Sequence, residues 1–154
     1  MPDCPLCNGA GGQVLHQAAH WRLVLAHEPD WPGLVRLIWT EHVAEWSDLS
    51  ESQASTLWTA IHRVERVLRQ QLAPDKVNVA SLGNFVPHLH VHLIPRWVDD
   101  ATFPASIWSP LPVSEPADPQ RLERAQARRQ IVRAQEPGLC QALIDYFKVE
   151  FHQS

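Results

Sequence analysis

His88-Leu89-His90-Val91-His92-Leu93-Ile94-Pro95-Arg96 is the stretch on which the reading of this chain turns. Side chains on a β-strand alternate between two faces. Read as a strand over 89–94 and closed by Pro95, the segment puts His88, His90 and His92 on one face and Leu89, Val91 and Leu93 on the other. The apolar face can pack on a core while the imidazoles line a cleft. The bland alternative is a half-buried strand whose outer face happens to carry histidine. Three adjacent imidazoles count against it, because they repel when charged and need partners when buried.

Val77–Ala80 reads as the preceding strand, and 82–87 as the loop between the two. Further upstream, Leu57, Ala60, Ile61, Val64 and Leu68 recur at helical spacing. That helix starts near Asp48, Ser50 and Glu51 and stops at Pro74. Two earlier runs, 21–26 and 34–39, read as strands paired antiparallel across the turn-rich stretch 28–33. Gly9–Gly12 reads as a turn. Downstream, 99–119 is proline-rich and is expected to be an ordered arm, because it carries Phe103, Ile107 and Trp108. Asp118-Pro119 suits a helix cap and first position. A charged helix should run to Gln135, be interrupted at Pro137-Gly138, and be followed by a short amphipathic helix over Leu139, Leu143, Ile144 and Phe147. The expected fold is α+β: an antiparallel sheet of about five strands, one long helix and C-terminal helices.

The 154 residues suit one compact domain, with a core over about 4–108 and an arm and helices over 109–154. The formal charge is −4 and no run of like charges stands out, so the basic stripe of a duplex nucleic-acid binder is missing. A small phosphorylated ligand needs only local positive charge. There is no apolar run long enough to span a membrane, and residues 1–10 do not read as a secretory signal. Three cysteines, two of them as Cys4-Pro5-Leu6-Cys7, suggest a reducing cytoplasm, and a metal clip rather than a disulfide framework.

Imidazole suits chemistry at phosphorus. It is largely neutral near pH 7 and so nucleophilic without a strong base. Its neighbours can donate hydrogen bonds to phosphate oxygens as charge develops. The segment 88–94 followed by Pro95-Arg96 resembles the signature of the histidine-triad (HIT) superfamily. Asn78, Gly83-Asn84, Pro32-Gly33 and His42 agree with it, and 78–87 with Asp99-Asp100, Phe103-Pro104 and Trp108 resembles its bacterial diadenosine polyphosphate hydrolase-like branch. The resemblance covers roughly 4–108. It implies a homodimer whose sheets join, and cleavage at a nucleoside α-phosphate in dinucleoside polyphosphates, phosphoramidates or related esters. It implies His90 as nucleophile, His92 as phosphate contact, His88 as the third triad member, and Asn78 and Asn84 as phosphate contacts. The plain reading of either asparagine is a turn or strand-end cap. Arg96 either attracts phosphate or solvates the strand end. Trp108 either stacks on a base or packs in the core.

Cys4 and Cys7 have the spacing of half a tetrahedral zinc site. Some zinc-containing members of the superfamily resemble the fuller arrangement, which implies His42 and His88 as the remaining ligands of a structural Zn2+. Two other readings stay open. Leu34 stands where the superfamily often has histidine, Phe85 where it often has serine or threonine, and the aspartate that many members carry for the ribose hydroxyls is missing at Ala26, with Glu28 and Asp30 as the nearby acidic substitutes. These departures leave room for a nucleotide- or zinc-binding regulatory module with little turnover. A hydrolase binding zinc through all three triad histidines is the third reading, and the loop before them lacks the acidic residue expected as its base.

Overall fold

The computed structural model describes residues 3–110 and 119–150. In order they form α1 (Pro5–Asn8), β1 (Gln13–Gln17), β2 (Trp21–Leu25), β3 (Val35–Trp39), a 3-10 turn (Trp46–Asp48), α2 (Glu51–Leu72), β4 (Lys76–Ala80), β5 (His90–Arg96) and α3 (Pro119–Glu150). The five strands make one antiparallel sheet in the order β1-β2-β3-β5-β4. The class is the α+β expected from the order of elements. No helix among the described residues is long and apolar enough to cross a membrane.

Alternation sorts the sheet's side chains. Leu23, Leu25, Val35, Leu37, Trp39, Leu89, Val91 and Leu93 join the main core. Against them pack Leu57, Ala60, Ile61, Val64, Val67, Leu68 and Leu72 of α2. Local chemistry bounds α2 well. The Ser50 hydroxyl accepts the Gln53 backbone N–H at 3.3 Å and the Gln53 side chain accepts the Ser50 N–H at 2.8 Å, a reciprocal capping box. Ala73 leaves the helix at φ +45°, and Pro74 cannot continue it.

Three element expectations need correction. The C-terminal segment is one helix, not two: α3 runs through Pro137. Ala125, Val132, Leu139, Leu143 and Phe147 are all buried, at spacings of seven, seven, four and four, so one apolar stripe continues past the proline. Packing along that stripe outweighs the lost backbone bond. Asp118, expected as its cap, lies outside the described residues. Second, β5 does not stop at Pro95. The pairing with β3 ends at Leu93, so Pro95 is opposed only by Val77 of β4 and its missing N–H is tolerated. Third, β1 follows the glycine turn and was not anticipated, because only Leu15 of its five residues is buried.

α3 is also tied to two loops. Arg128 chelates Asp99 at 2.9 Å and lies 5.6 Å over the Trp97 ring. Arg129 pairs with Asp30, and the Glu136 carboxylate accepts the Gly33 N–H at 2.8 Å. Gly33 sits at φ +79° with Leu72 2.9 Å from where a Cβ would be, so both its conformation and the space require glycine.

Candidate active site and metal cluster

The sheet face opposite the main core carries Arg22 and Val24 of β2, Arg36 and Ile38 of β3, His90, His92 and Ile94 of β5, and Asn78 and Ala80 of β4. Over one part of it the N-terminal turn forms a lid, in which Cys4, Leu6, Val24 and Ile38 make a second small core with Val86 against it. Three bonds from Arg22 to the carbonyls of Ala10, Leu6 and Gly9 hold that turn down.

His88 departs from the expected ladder. The strand begins at His90, and His88 is fully buried beneath the lid rather than lining the cleft. One ring nitrogen, Nε2, lies 2.7 Å from the Trp39 carbonyl. A carbonyl only accepts, so Nε2 carries the proton and Nδ1 is bare. That bare nitrogen faces the Cys4 and Cys7 sulfurs, each at 3.4 Å. Cys7 Sγ is also 3.3 Å from His42 Nδ1. Ligand atoms of Cys4, Cys7, His42 and His88 all lie within 4.8 Å of one another, a group able to hold a metal ion. Burial pushes the Cys4 thiol up, but the Cys7 and Leu6 backbone N–H groups and the Cys7 thiol outweigh it, so Cys4 sits below the usual thiol range. Burial raises Cys7, and so do its hydrogen bond to Cys4 and the Cys4 charge. Burial also lowers His88, keeping it neutral.

His90 is half-buried, and its Nδ1 lies 2.6 Å from the His88 carbonyl. The same reasoning gives Nδ1 the proton and leaves Nε2 with a free lone pair. The His92 ring is 4.9 Å from that of His90, centroid to centroid. His92 is pushed down to about 4, mainly by burial and further by the charges of His90 and Arg36. It is therefore neutral at pH 7, and its buried Nδ1 has no partner among the described residues. Trp108, half exposed, meets His92 edge-on at 5.3 Å. Asn78, Ala80, Ile94 and Trp108 share the lining of an open groove beside β4. Asn84 is exposed in the loop before the triad.

Arg96 requires a correction. It neither solvates a strand end nor offers itself to a phosphate, because it is 1 % exposed and its guanidinium is occupied. Nε and Nη2 grip the Asp100 carboxylate at 2.6 and 3.0 Å, and Nη1 donates to Asn78 Oδ1 at 2.8 Å. Nη2 also meets Thr102 and the Ala105 carbonyl. One residue of the site face was not anticipated. Arg36 is the direct cross-strand partner of His92 and pairs with Glu28 at 2.5 Å. Arg36 alternates correctly within its strand, so parity could have marked it; Glu28 lies in the turn-rich loop, where the sequence offers it only as a stand-in for the ribose-binding aspartate.

The HIT domain family model matches residues 10–98, more than half of the chain. A bis(5'-nucleosyl)-tetraphosphatase (asymmetrical) of Schizosaccharomyces pombe is 28% identical over 110 residues, 68% of this chain and 60% of that protein. An AP-4-A phosphorylase of Mycobacterium tuberculosis is 31% identical over 107 residues, 66% of this chain and 55% of that protein. The match thus spans somewhat more than half the length of these curated relatives. The crystal structure of a histidine triad protein from Bradyrhizobium japonicum superposes with a TM-score of 0.61 at 29% identity, covering 82% of this chain and 92% of that one. With the fold, the ladder and the family match in agreement, the chain belongs to the HIT family.

Proposed function

We propose that this protein is a nucleotide hydrolase or transferase that cleaves at a nucleoside α-phosphate through a nucleotidyl-histidine intermediate. The observation that carries the reading is the fixed tautomer of His90, with Nδ1–H held by the His88 carbonyl at 2.6 Å and Nε2 bare. The Nε2 lone pair attacks phosphorus as the bond to the leaving group breaks and that group departs with a proton; water then attacks phosphorus, the P–N bond breaks, and the nucleoside monophosphate leaves with His90 Nε2 free again. His92, neutral at pH 7, gives a hydrogen bond to the phosphate as charge builds there. The side-chain amides of Asn78 and Asn84 are further phosphate contacts, and the Trp108 ring is a stacking surface for a base. The names of the two relatives support a dinucleoside polyphosphate as one substrate.

The metal group fits zinc. Zn–S of about 2.3 Å and Zn–N of about 2.0–2.1 Å at tetrahedral angles give an S···N edge of about 3.5 Å. Three of the four S···N edges are 3.3–3.4 Å, and all four ligand atoms lie within 4.8 Å of one another. The His88 bond to Trp39 is the orienting contact that metal-bound histidines usually make. Cys4, Cys7, His42 and His88 would hold the ion, which would tie the N-terminal turn to the strand carrying the nucleophile. The working unit on this reading is a homodimer with joined sheets, for which the free edges at β1 and β4 and the exposed Val79 give room.

Incubation with adenosine 5′-phosphoramidate and with diadenosine tetraphosphate tests the function, with release of AMP as the expected result. AMP binding without any release would support the binding-module reading instead.

A further inference from the structure

Arg96 and Asp100 are the most heavily bonded pair in the described residues, and the proposed chemistry leaves them without a task. Asp100, 6 % exposed, is held on all sides. Besides both bonds from Arg96, its Oδ1 accepts the backbone N–H groups of Thr102 at 3.0 Å and Phe103 at 2.7 Å. Arg96 lies between the Trp31 and Phe103 rings, 5.4 and 5.8 Å from their centroids. A guanidinium bonded at all three nitrogens with two rings against it has no freedom to turn.

This rigidity has a consequence for Asn78. Arginine has donors only. Whatever faces Nη1 must be an acceptor, so Asn78 is obliged to present Oδ1 to Arg96, as it does at 2.8 Å. The flipped amide would set its NH2 against the guanidinium N–H. The two Nδ2 hydrogens are thereby turned away from Arg96. Asn78 stands opposite Ile94, on the same face as His92 and one pair along from it, in the groove that Trp108 shares. Diagonal neighbours of this kind are about 7–8 Å apart, which one phosphate group can bridge.

We propose that Arg96 and Asp100 are positioning residues: they lock the Asn78 amide so that its NH2 group donates to the substrate phosphate held against His90 and His92. The inference rests on the function proposed above. Its physical basis is preorganisation, in which a donor fixed before the charge develops stabilises it without reorganising. An asparagine free to flip would present its oxygen part of the time and repel the phosphate.

A double-mutant cycle on AMP release from adenosine 5′-phosphoramidate tests it, with thermal melts run alongside. Asn78→Asp keeps an acceptor for Arg96 but loses both donors, and is expected to melt near the wild type while kcat falls about 10²-fold, the usual worth of one such donor. Arg96→Lys and Asp100→Asn are expected to lower kcat more than they raise KM. In an Asn78→Ala background the same two changes should cost less than about twofold, because their effect runs through Asn78. Equal losses in both backgrounds would make Arg96 and Asp100 structural only and overturn the proposal. Should neither variant fold, the wild type decides. The Asn78 side-chain NH2 peaks of 15N-labelled protein, assigned by their loss in Asn78→Asp, are expected to shift on titration with AMP, and unmoved peaks would overturn the proposal. A wild type that neither binds AMP nor releases it would instead overturn the function itself.

Discussion

The Nδ1–H of His90 is bonded to the carbonyl oxygen of His88, 2.6 Å away, so the residue that faces the cysteines also sets the tautomer of the residue proposed to attack phosphorus. In the proposed mechanism His90 and His92 differ in task, although their ring centroids lie only 4.9 Å apart. His90→Ala removes the attacking atom, and turnover should fall by several orders of magnitude with little change in nucleotide affinity. His92→Ala removes a hydrogen bond and should cost about 10²–10⁴-fold. Steady-state kinetics beside calorimetric AMP binding separates these outcomes; equal losses for the two variants would contradict the division of roles.

The cysteine turn should depend on metal. Purified protein is expected to contain about one zinc per chain, tightly held, as structural sites are. Cys7→Ser should lose it and melt at lower temperature, and chelation of the wild type should do the same. Elemental analysis with melting curves checks this, and a metal-free protein of unchanged stability would refute it.

Acid should destabilise the fold through His92. Its ordinary value is 6.5 and the folded one about 4, so the unfolded chain binds the proton more readily between those limits. Stability tied to this group is complete above about 6.5 and is lost as pH falls toward 4. The gap corresponds to at most about 3 kcal/mol. Urea unfolding at pH 5 and pH 7 measures it. His92→Gln, which cannot titrate, should lose less on acidification than the wild type does.

α3 should matter to the whole domain, although the family match ends at residue 98. Leu143 is fully buried in the main core, and replacing it with alanine should cost about 2–5 kcal/mol. Chemical denaturation should show one transition at lower denaturant. An unchanged midpoint would mean that the helix is an independent appendage.

The fold was legible wherever local patterning and tertiary packing agreed. Alternation at Leu89, Val91 and Leu93, the helical spacing from Leu57 to Leu68, and the Ser50 cap each matched the burial found. Pro137-Gly138 misled because a local break signal competes with a buried stripe on both sides of it, and only the packing says which prevails. Of the site, the ladder and the group of Cys4, Cys7, His42 and His88 that could hold a metal ion could be named, since their residue types carry the chemistry. His88 could not be placed under the lid, because strand parity is silent about where a strand begins. The fate of Arg96 depended on Asp100, four residues on in a loop, and no periodicity links the two.

Rapid quench of the wild type with a substrate radiolabelled in the adenylyl group looks for the covalent adduct itself. Label is expected on the protein within the first turnover, at His90, in an adduct that is labile to acid, stable to base and absent from His90→Ala. No trapped label, together with near-normal AMP release by His90→Ala, would show that water attacks phosphorus directly and that His90 is not the nucleophile.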